Sequence, residues 1–298
     1  MASVLIVGAS GFIGRHLRAR FEPSSCVATY HGRPFAGGLA FDPTQDDPRT
    51  LIRDHGPFDH AYVLMAVSSL LRCIEQPEES YAINVTAVIR LLDALLEAGI
   101  TPLFTSSDSV WQGDRGGYCE EDPAEPLITY GKHKMAVESY LRGQAPDDHI
   151  TVRLSKTYSS QPGDGTLLSA WVTAWEEGRE IACATDQCFN PIHVEDAAEG
   201  MIRLMQGGQR GLFNLCGPEA IHRDQLMATL KQAYEAEVGP LPSWSVRYCK
   251  INDFNFPEAW PVDISTRIDK LVAATGFKPR GPREGAIQLA RSVKKSHP

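Results

Sequence analysis

Tyr130 and Lys134 stand four residues apart in the run Tyr130-Gly131-Lys132-His133-Lys134. On a helix that spacing puts a phenol and an ammonium on one face, within reach of a single substrate. A free tyrosine titrates near ~10, so it exchanges protons at neutral pH only if a nearby cation stabilises the phenolate. Lys134 supplies that cation. Near the start of the chain, Gly8-Ala9-Ser10-Gly11-Phe12-Ile13-Gly14 offers a different chemistry. Gly8 permits a tight turn, Gly11 lets the backbone approach a pyrophosphate, and Gly14 allows a helix to lie close on a sheet. The free N–H groups of the helix that opens at Phe12 and Ile13 point at the anion. An NAD site would carry an acid ~20 residues further on. The window Tyr30-His31-Gly32-Arg33-Pro34 has none, and no Asp or Glu stands between Glu22 and Asp42. Arg33 offers a cation where a 2′-phosphate would lie, which favours NADP(H) over NAD(H).

The elements that must position these groups alternate along the first half. Strand-like runs at Val4–Val7, Cys26–Tyr30, 61–65, 102–105 and 149–154 are separated by helical periodicity in 12–21, about 78–97, and 135–141. Gly99 sits where the long helix should end. Such alternation means an α/β fold with a doubly wound parallel sheet covered on both faces. The second half is less regular. Helices are expected near 167–175, 194–205, 225–238, 268–275 and 284–291, with a strand at Gly211–Leu215. We read 1–157 as a dinucleotide-binding domain and 158–298 as a smaller α/β substrate-binding lobe, with the segment near 189–216 returning to the first domain. The chemistry should lie outside the carboxyl ends of the parallel strands.

Composition narrows the function classes. The 298 residues are 43% hydrophobic and 22% charged, which excludes wholesale disorder. A formal charge of −8 argues against general binding to nucleic acid or anionic membranes. The seven cysteines include no C-x-x-C pair, so neither a zinc site nor a disulfide framework is expected. No apolar run reaches the ~18 residues of a membrane span, and the N-terminus lacks the pattern of a signal peptide. A cytoplasmic protein with reduced thiols and no metal is the expectation.

On the glycine turn, the Tyr130–Lys134 pair and three further stretches, the chain resembles the extended short-chain dehydrogenase/reductase family, whose dinucleotide domain is of the Rossmann type. Phe41-Asp42-Pro43 resembles the loop whose aspartate holds the adenine. Leu64-Met65-Ala66 lies where the family lines the cofactor bridge, and Asn84 resembles its helix asparagine. Ser106 and Ser107 both follow the fourth strand, where the family places a Ser or Thr as its third catalytic group. The register of Val110-Trp111 selects Ser107. The resemblance therefore implies Ser107, Tyr130 and Lys134 as catalytic residues, with Lys134 also reaching the nicotinamide ribose. It implies a homodimer as well.

Asp186-Gln187-Cys188-Phe189-Asn190-Pro191 and the closing segment resemble the dTDP-4-dehydrorhamnose reductases within that family. This implies NAD(P)H-dependent reduction of a nucleotide-diphospho-4-keto-6-deoxysugar, with Ser107, Asp108, Lys156 and Gln187 toward the substrate. Three positions depart from the reductases: Ser109 in place of a frequent Tyr, His133 in place of Ser, and Lys156 in place of an aromatic. Sister dehydratases need an acid after Asp108, and epimerase–reductases a cysteine near there; Ser109 is neither. A 4-epimerase that retains NAD, and a non-catalytic dinucleotide-binding regulatory subunit, remain as alternatives.

Overall fold

The computed structural model describes residues 4–296. The first half runs β1 (Val4–Val7), α1 (Phe12–Arg18), β2 (Cys26–Tyr30), β3 (Leu39–Ala40), α2 (Pro48–His55), β4 (His60–Val63), α3 (Leu70–Glu75), α4 (Pro77–Tyr81), α5 (Val88–Glu97), β5 (Thr101–Ser107), α6 (Thr129–Gln144) and β6 (Ile150–Leu154). The second half runs β7 (Thr157–Tyr158), α7 (Leu167–Glu176), β8 (Ile181–Ala184), β9 (Cys188–Phe189), β10 (Ile192–His193), α8 (Val194–Gln206), β11 (Gly211–Leu215), β12 (Ile221–His222), α9 (Arg223–Glu237), β13 (Val246–Cys249), α10 (Asp269–Thr275) and α11 (Pro282–Ser296).

Seven strands form one parallel sheet in the order β11-β6-β5-β4-β1-β2-β3. The α/β doubly wound architecture expected from the alternation is the one observed. Strand order reverses at β1, which pairs with both β2 and β4, and a crevice opens at such a switch point. The sheet is apolar on both faces because helices cover both. On one side Ile6, Val152 and Leu215 join Leu17 of α1 and Met201 of α8. On the other Leu5, Val63 and Phe104 join Val88, Leu92 and Val137 of α5 and α6. A separate core of Trp171, Trp175, Tyr234 and Leu289 ties α7, α9 and α11 together beyond the sheet's carboxyl ends.

The long helical pattern of 78–97 is interrupted. Ala82–Ala87 takes the wider π-helical winding between α4 and α5, with Asn84 inside it. Gly99 follows the end of α5 at φ +72°, a left-handed position that suits glycine. α2 falls where no element was expected, although Asp47 caps it, accepting from the Arg49 N–H at 3.0 Å, and Pro48 fills its first turn. Both signals are local and legible. Three two-stranded ribbons, β7–β10, β9–β12 and β8–β13, join strands of two to four residues, mostly too short for an apolar pattern to register. The seven cysteines are free thiols. Among the described residues no helix is long and apolar enough to cross a membrane, and no cluster of His, Cys, Asp or Glu could hold a metal.

Candidate active site

A cleft of about 480 Å³ opens along the carboxyl ends of β1, β4, β5 and β6, between the sheet and the second half of the chain. One end is the glycine turn. Gly8 has φ +88°, and a Cβ there would lie 2.9 Å from the Met65 backbone nitrogen. A Cβ on Gly14 would lie 2.3 Å from the Gly8 carbonyl oxygen, so glycine at that position lets α1 sit directly on the turn. Gly11 is the N-cap of α1 and supplies no side chain to its first N–H groups. Gly8, Gly11, Phe12, Ile13 and Gly14 all line the cleft, a cradle that a side chain would fill. That cradle fits a pyrophosphate.

The other residues expected around a dinucleotide divide into those lining the cleft and those supporting it. Leu64 and Ala66 line it. The Met65 side chain lies in the core beneath β1, and Ser10 is half-buried in the turn outside the lining. Asn84 is fully buried and makes its two shortest hydrogen bonds to one backbone unit, with the Cys73 thiol at 3.7 Å and His133 Nδ1 at 3.4 Å also beside its Nδ2. Its Oδ1 accepts from the Val67 N–H at 2.7 Å, and its Nδ2 donates to the Val67 carbonyl at 3.0 Å. It thereby holds the 66–68 loop against the cleft rather than entering it. Arg33 is exposed on the loop between β2 and β3. The Arg18 guanidinium, 3.8 Å from the Phe35 ring centroid, pins that loop. Asp42, half-buried at the end of β3, accepts from the Thr44 N–H at 2.8 Å and hydroxyl at 2.7 Å, which hold its carboxyl below the ordinary range.

At mid-cleft, α6 and β5 bring three groups together. Ile128 precedes α6 with no side-chain cap. The cap comes from far along the chain: the Glu258 carboxylate accepts from the Thr129 N–H at 2.9 Å and from its hydroxyl at 2.5 Å. Tyr130 and Lys134 then fall on one face, as the spacing predicts. The buried Lys134 ammonium donates to the Thr105 carbonyl at 2.7 Å and lies 5.5 Å from the Tyr130 ring centroid. Burial pulls Lys134 down to about 8, with Glu138 and Cys73 countering. Tyr130 differs from the expectation. Burial first, then Cys73 and Asp108, push its phenol above its ordinary value. The proton stays on the phenol, as a proton donor requires.

The two candidate serines have separate fates. Ser106 also borders the cleft, but its hydroxyl is committed to Glu138 Oε1, to which it donates at 2.5 Å. The Ser107 hydroxyl lies 2.6 Å from the Ser109 hydroxyl and 3.1 Å from Asp108 Oδ1. Both Ser107 and Ser109 line the cleft. Asp108 is buried, and the loss of water pushes its carboxyl up to about 6 against the pull of Ser107 and the Lys156 charge.

The far end of the cleft is cationic. Lys156 lines it, its side chain exposed and with no carboxylate in ion-pair distance among the described residues; the protein packed around the ammonium and the neighbouring Arg223 push it down. Gln187 also lines it, and its Oε1 accepts from Arg223 Nη1 at 2.9 Å. Arg223 Nε is buried without a partner. Sequence reasoning missed Arg223 because it is the first residue of α9 and 36 positions from Gln187. Trp260 closes this end, stacked on Phe256 with centroids 4.2 Å apart. Cations and an aromatic face at one end, a glycine cradle at the other and a protonated phenol between them can bind two anionic ligands and donate a proton at their junction.

Comparison with known proteins gives a family match, the RmlD substrate binding domain, over residues 1–294. The dTDP-4-dehydrorhamnose reductase of Sinorhizobium fredii is 27% identical over 287 residues, 92% of this chain and 91% of that protein. Methionine adenosyltransferase 2 subunit beta of Rattus norvegicus is 33% identical over 273 residues, 82% of this chain and 74% of that protein. Among solved structures, the dTDP-4-dehydrorhamnose reductase of Bacillus anthracis in complex with NADP superposes with a TM-score of 0.83 at 20% identity. That match covers 97% of this chain and 99% of the other.

Proposed function

Because the chain belongs to the RmlD substrate binding domain family, we propose that it is an NAD(P)H-dependent reductase of a nucleotide-diphospho-4-keto-6-deoxysugar, with NADPH the preferred cofactor. The observation that carries this reading is the single cleft holding the glycine cradle, the Ser107, Tyr130 and Lys134 groups, and the Lys156–Arg223 cations in that order. The cradle at 8–14 holds the pyrophosphate, and Arg33 is the residue available to a 2′-phosphate. When bound, the dinucleotide supplies the hydride.

Every other contribution comes from the chain's own side chains. Ser107 donates a hydrogen bond to the substrate carbonyl and orients it beside Tyr130. Negative charge that grows on that oxygen is met by the phenol proton, and a donor already aimed at the oxygen needs no reorganisation. Lys134 lies one turn away to offset the phenolate. Its donation to Thr105 fixes the ammonium within the same wall. Lys156 and Arg223 take the diphosphate, and Gln187 orients Arg223. The Ser109 N–H, which donates to the Ser107 oxygen at 3.1 Å, holds Ser107 in place, and the one hydroxyl proton of Ser107 turns from Asp108 to the carbonyl when substrate is bound.

The likeness to methionine adenosyltransferase 2 subunit beta favours one further reading, a dinucleotide-binding regulatory subunit. Incubation with NADPH and dTDP-4-keto-6-deoxyglucose separates the two. Stoichiometric NADP⁺ formation selects the reductase, and NADPH binding without turnover selects the subunit.

A further inference from the structure

The floor of the cleft rests on a buried polar cluster of which Ser106 alone borders the cleft. Glu138 is one turn past Lys134, so Tyr130, Lys134 and Glu138 share a face of α6. The Glu138 Oε1 accepts from the Ser106 hydroxyl at 2.5 Å and from Arg153 Nε at 3.0 Å, and its Oε2 accepts from Arg153 Nη2 at 2.7 Å. The two charged side chains are 1% and 2% exposed. The Arg153 guanidinium in turn lies 4.2 Å from the ring centroid of the buried Trp111.

Each member adjoins a residue of the site. Ser106 precedes Ser107 on β5. Arg153 precedes Leu154, Ser155 and Lys156, which line the cleft, and Trp111 follows the turn that carries Asp108 and Ser109. A buried ion pair adds little net stability over an apolar pair of the same volume. What this one does is fix three separate segments to a single carboxylate.

We propose that Glu138 is a positioning residue for the reaction, one carboxylate that sets β5, β6 and α6 in register and keeps a negative charge one turn from the Lys134 ammonium. The proposal rests on the reductase reading only for the identity of the substrate. The groups facing Lys134 are Tyr130, His133 and Glu138 on α6, Cys73 on α3, and the Thr105 carbonyl and Phe104 ring on β5. Of these Glu138 is the sole carboxylate.

The test compares wild type, Glu138→Gln and the double variant Glu138→Leu with Arg153→Met, which leaves no buried charge unpaired if the single variant folds poorly. NADPH affinity is followed by cofactor fluorescence from about pH 6 to pH 10, with Lys134→Met marking the step that belongs to the lysine. Wild type should lose affinity as pH passes the Lys134 range near 8. Without the carboxylate the ammonium gives up its proton earlier, so Glu138→Gln, which leaves the Arg153 cation, should lose affinity at least ~0.5 pH unit lower, and the double variant, which removes both charges, should shift in the same direction by less. Where turnover is measured, kcat should fall about 10-fold or more with KM little changed. A lowered melting temperature with the alkaline limb unmoved in both variants overturns the proposal and leaves Glu138 a packing residue. If wild type binds NADPH but reduces no keto sugar, the reductase reading fails, and the position of the limb still decides the role of Glu138.

Discussion

Asp108→Asn should stabilise the protein, and by an amount that depends on pH. The Asp108 carboxyl is 7% exposed and is pushed from an ordinary 3.8 up to about 6. A folded-state value above the unfolded one means that the native protein takes up the proton first. The native state is therefore penalised as pH rises from about 3.8 to about 6, and the penalty is constant above that window. Two pH units correspond to ~3 kcal/mol. Asparagine carries no charge to desolvate and keeps an oxygen for the Ser107 hydroxyl. The variant should gain up to ~3 kcal/mol at about pH 8 and roughly half of that at about pH 5, with no gain below the unfolded value. Paired urea melts of wild type and variant at both pH values measure this directly. A gain that is equal at both, or no gain at about pH 8, would refute the claim that the site holds a poorly solvated carboxylate. Retention of so costly a group beside Ser107 fits a site where stability is given up for function.

Two other substitutions address the chemistry. Tyr130→Phe should lower turnover ~10²–10⁴-fold while NADPH affinity, read by fluorescence titration, stays near that of wild type; an active variant would mean the proton donor lies elsewhere. Arg33→Ala should weaken NADPH roughly 10- to 100-fold and leave NADH nearly unchanged, and equal effects on the two cofactors in parallel titrations would remove Arg33 from the 2′-phosphate site.

What could be read from the sequence was what local geometry dictates. Gly8 and Gly14 are required by contacts with the next turn of chain, and Tyr130 and Lys134 meet because a helix makes them meet. The parallel sheet followed from the alternation of strands and helices. Other features depend on partners far along the chain. Glu258 caps α6 across 129 residues, Gln187 holds Arg223 across 36, and Arg153 reaches Glu138 across 15. No periodicity or spacing encodes those pairs. Asn84 was identifiable by position, but its pair of hydrogen bonds to the Val67 backbone depends on how the π-helical turn meets the 66–68 loop. The direction of the Tyr130 shift was likewise beyond sequence. A nearby lysine argues for a lowered phenol, and only the packing around the ring shows that burial, with Cys73 and Asp108, sets the opposite direction.

The most direct test of the central claim follows a labelled hydride. The protein is supplied with NADPH deuterated at nicotinamide C4 on the transferring face, together with dTDP-4-keto-6-deoxyglucose, and the product is examined by mass spectrometry and NMR. The account requires one deuterium at sugar C4 of a new secondary alcohol of single configuration, with one NADP⁺ formed per sugar. An epimerised sugar without net cofactor consumption, or bound NADPH with the keto sugar unchanged, would contradict it.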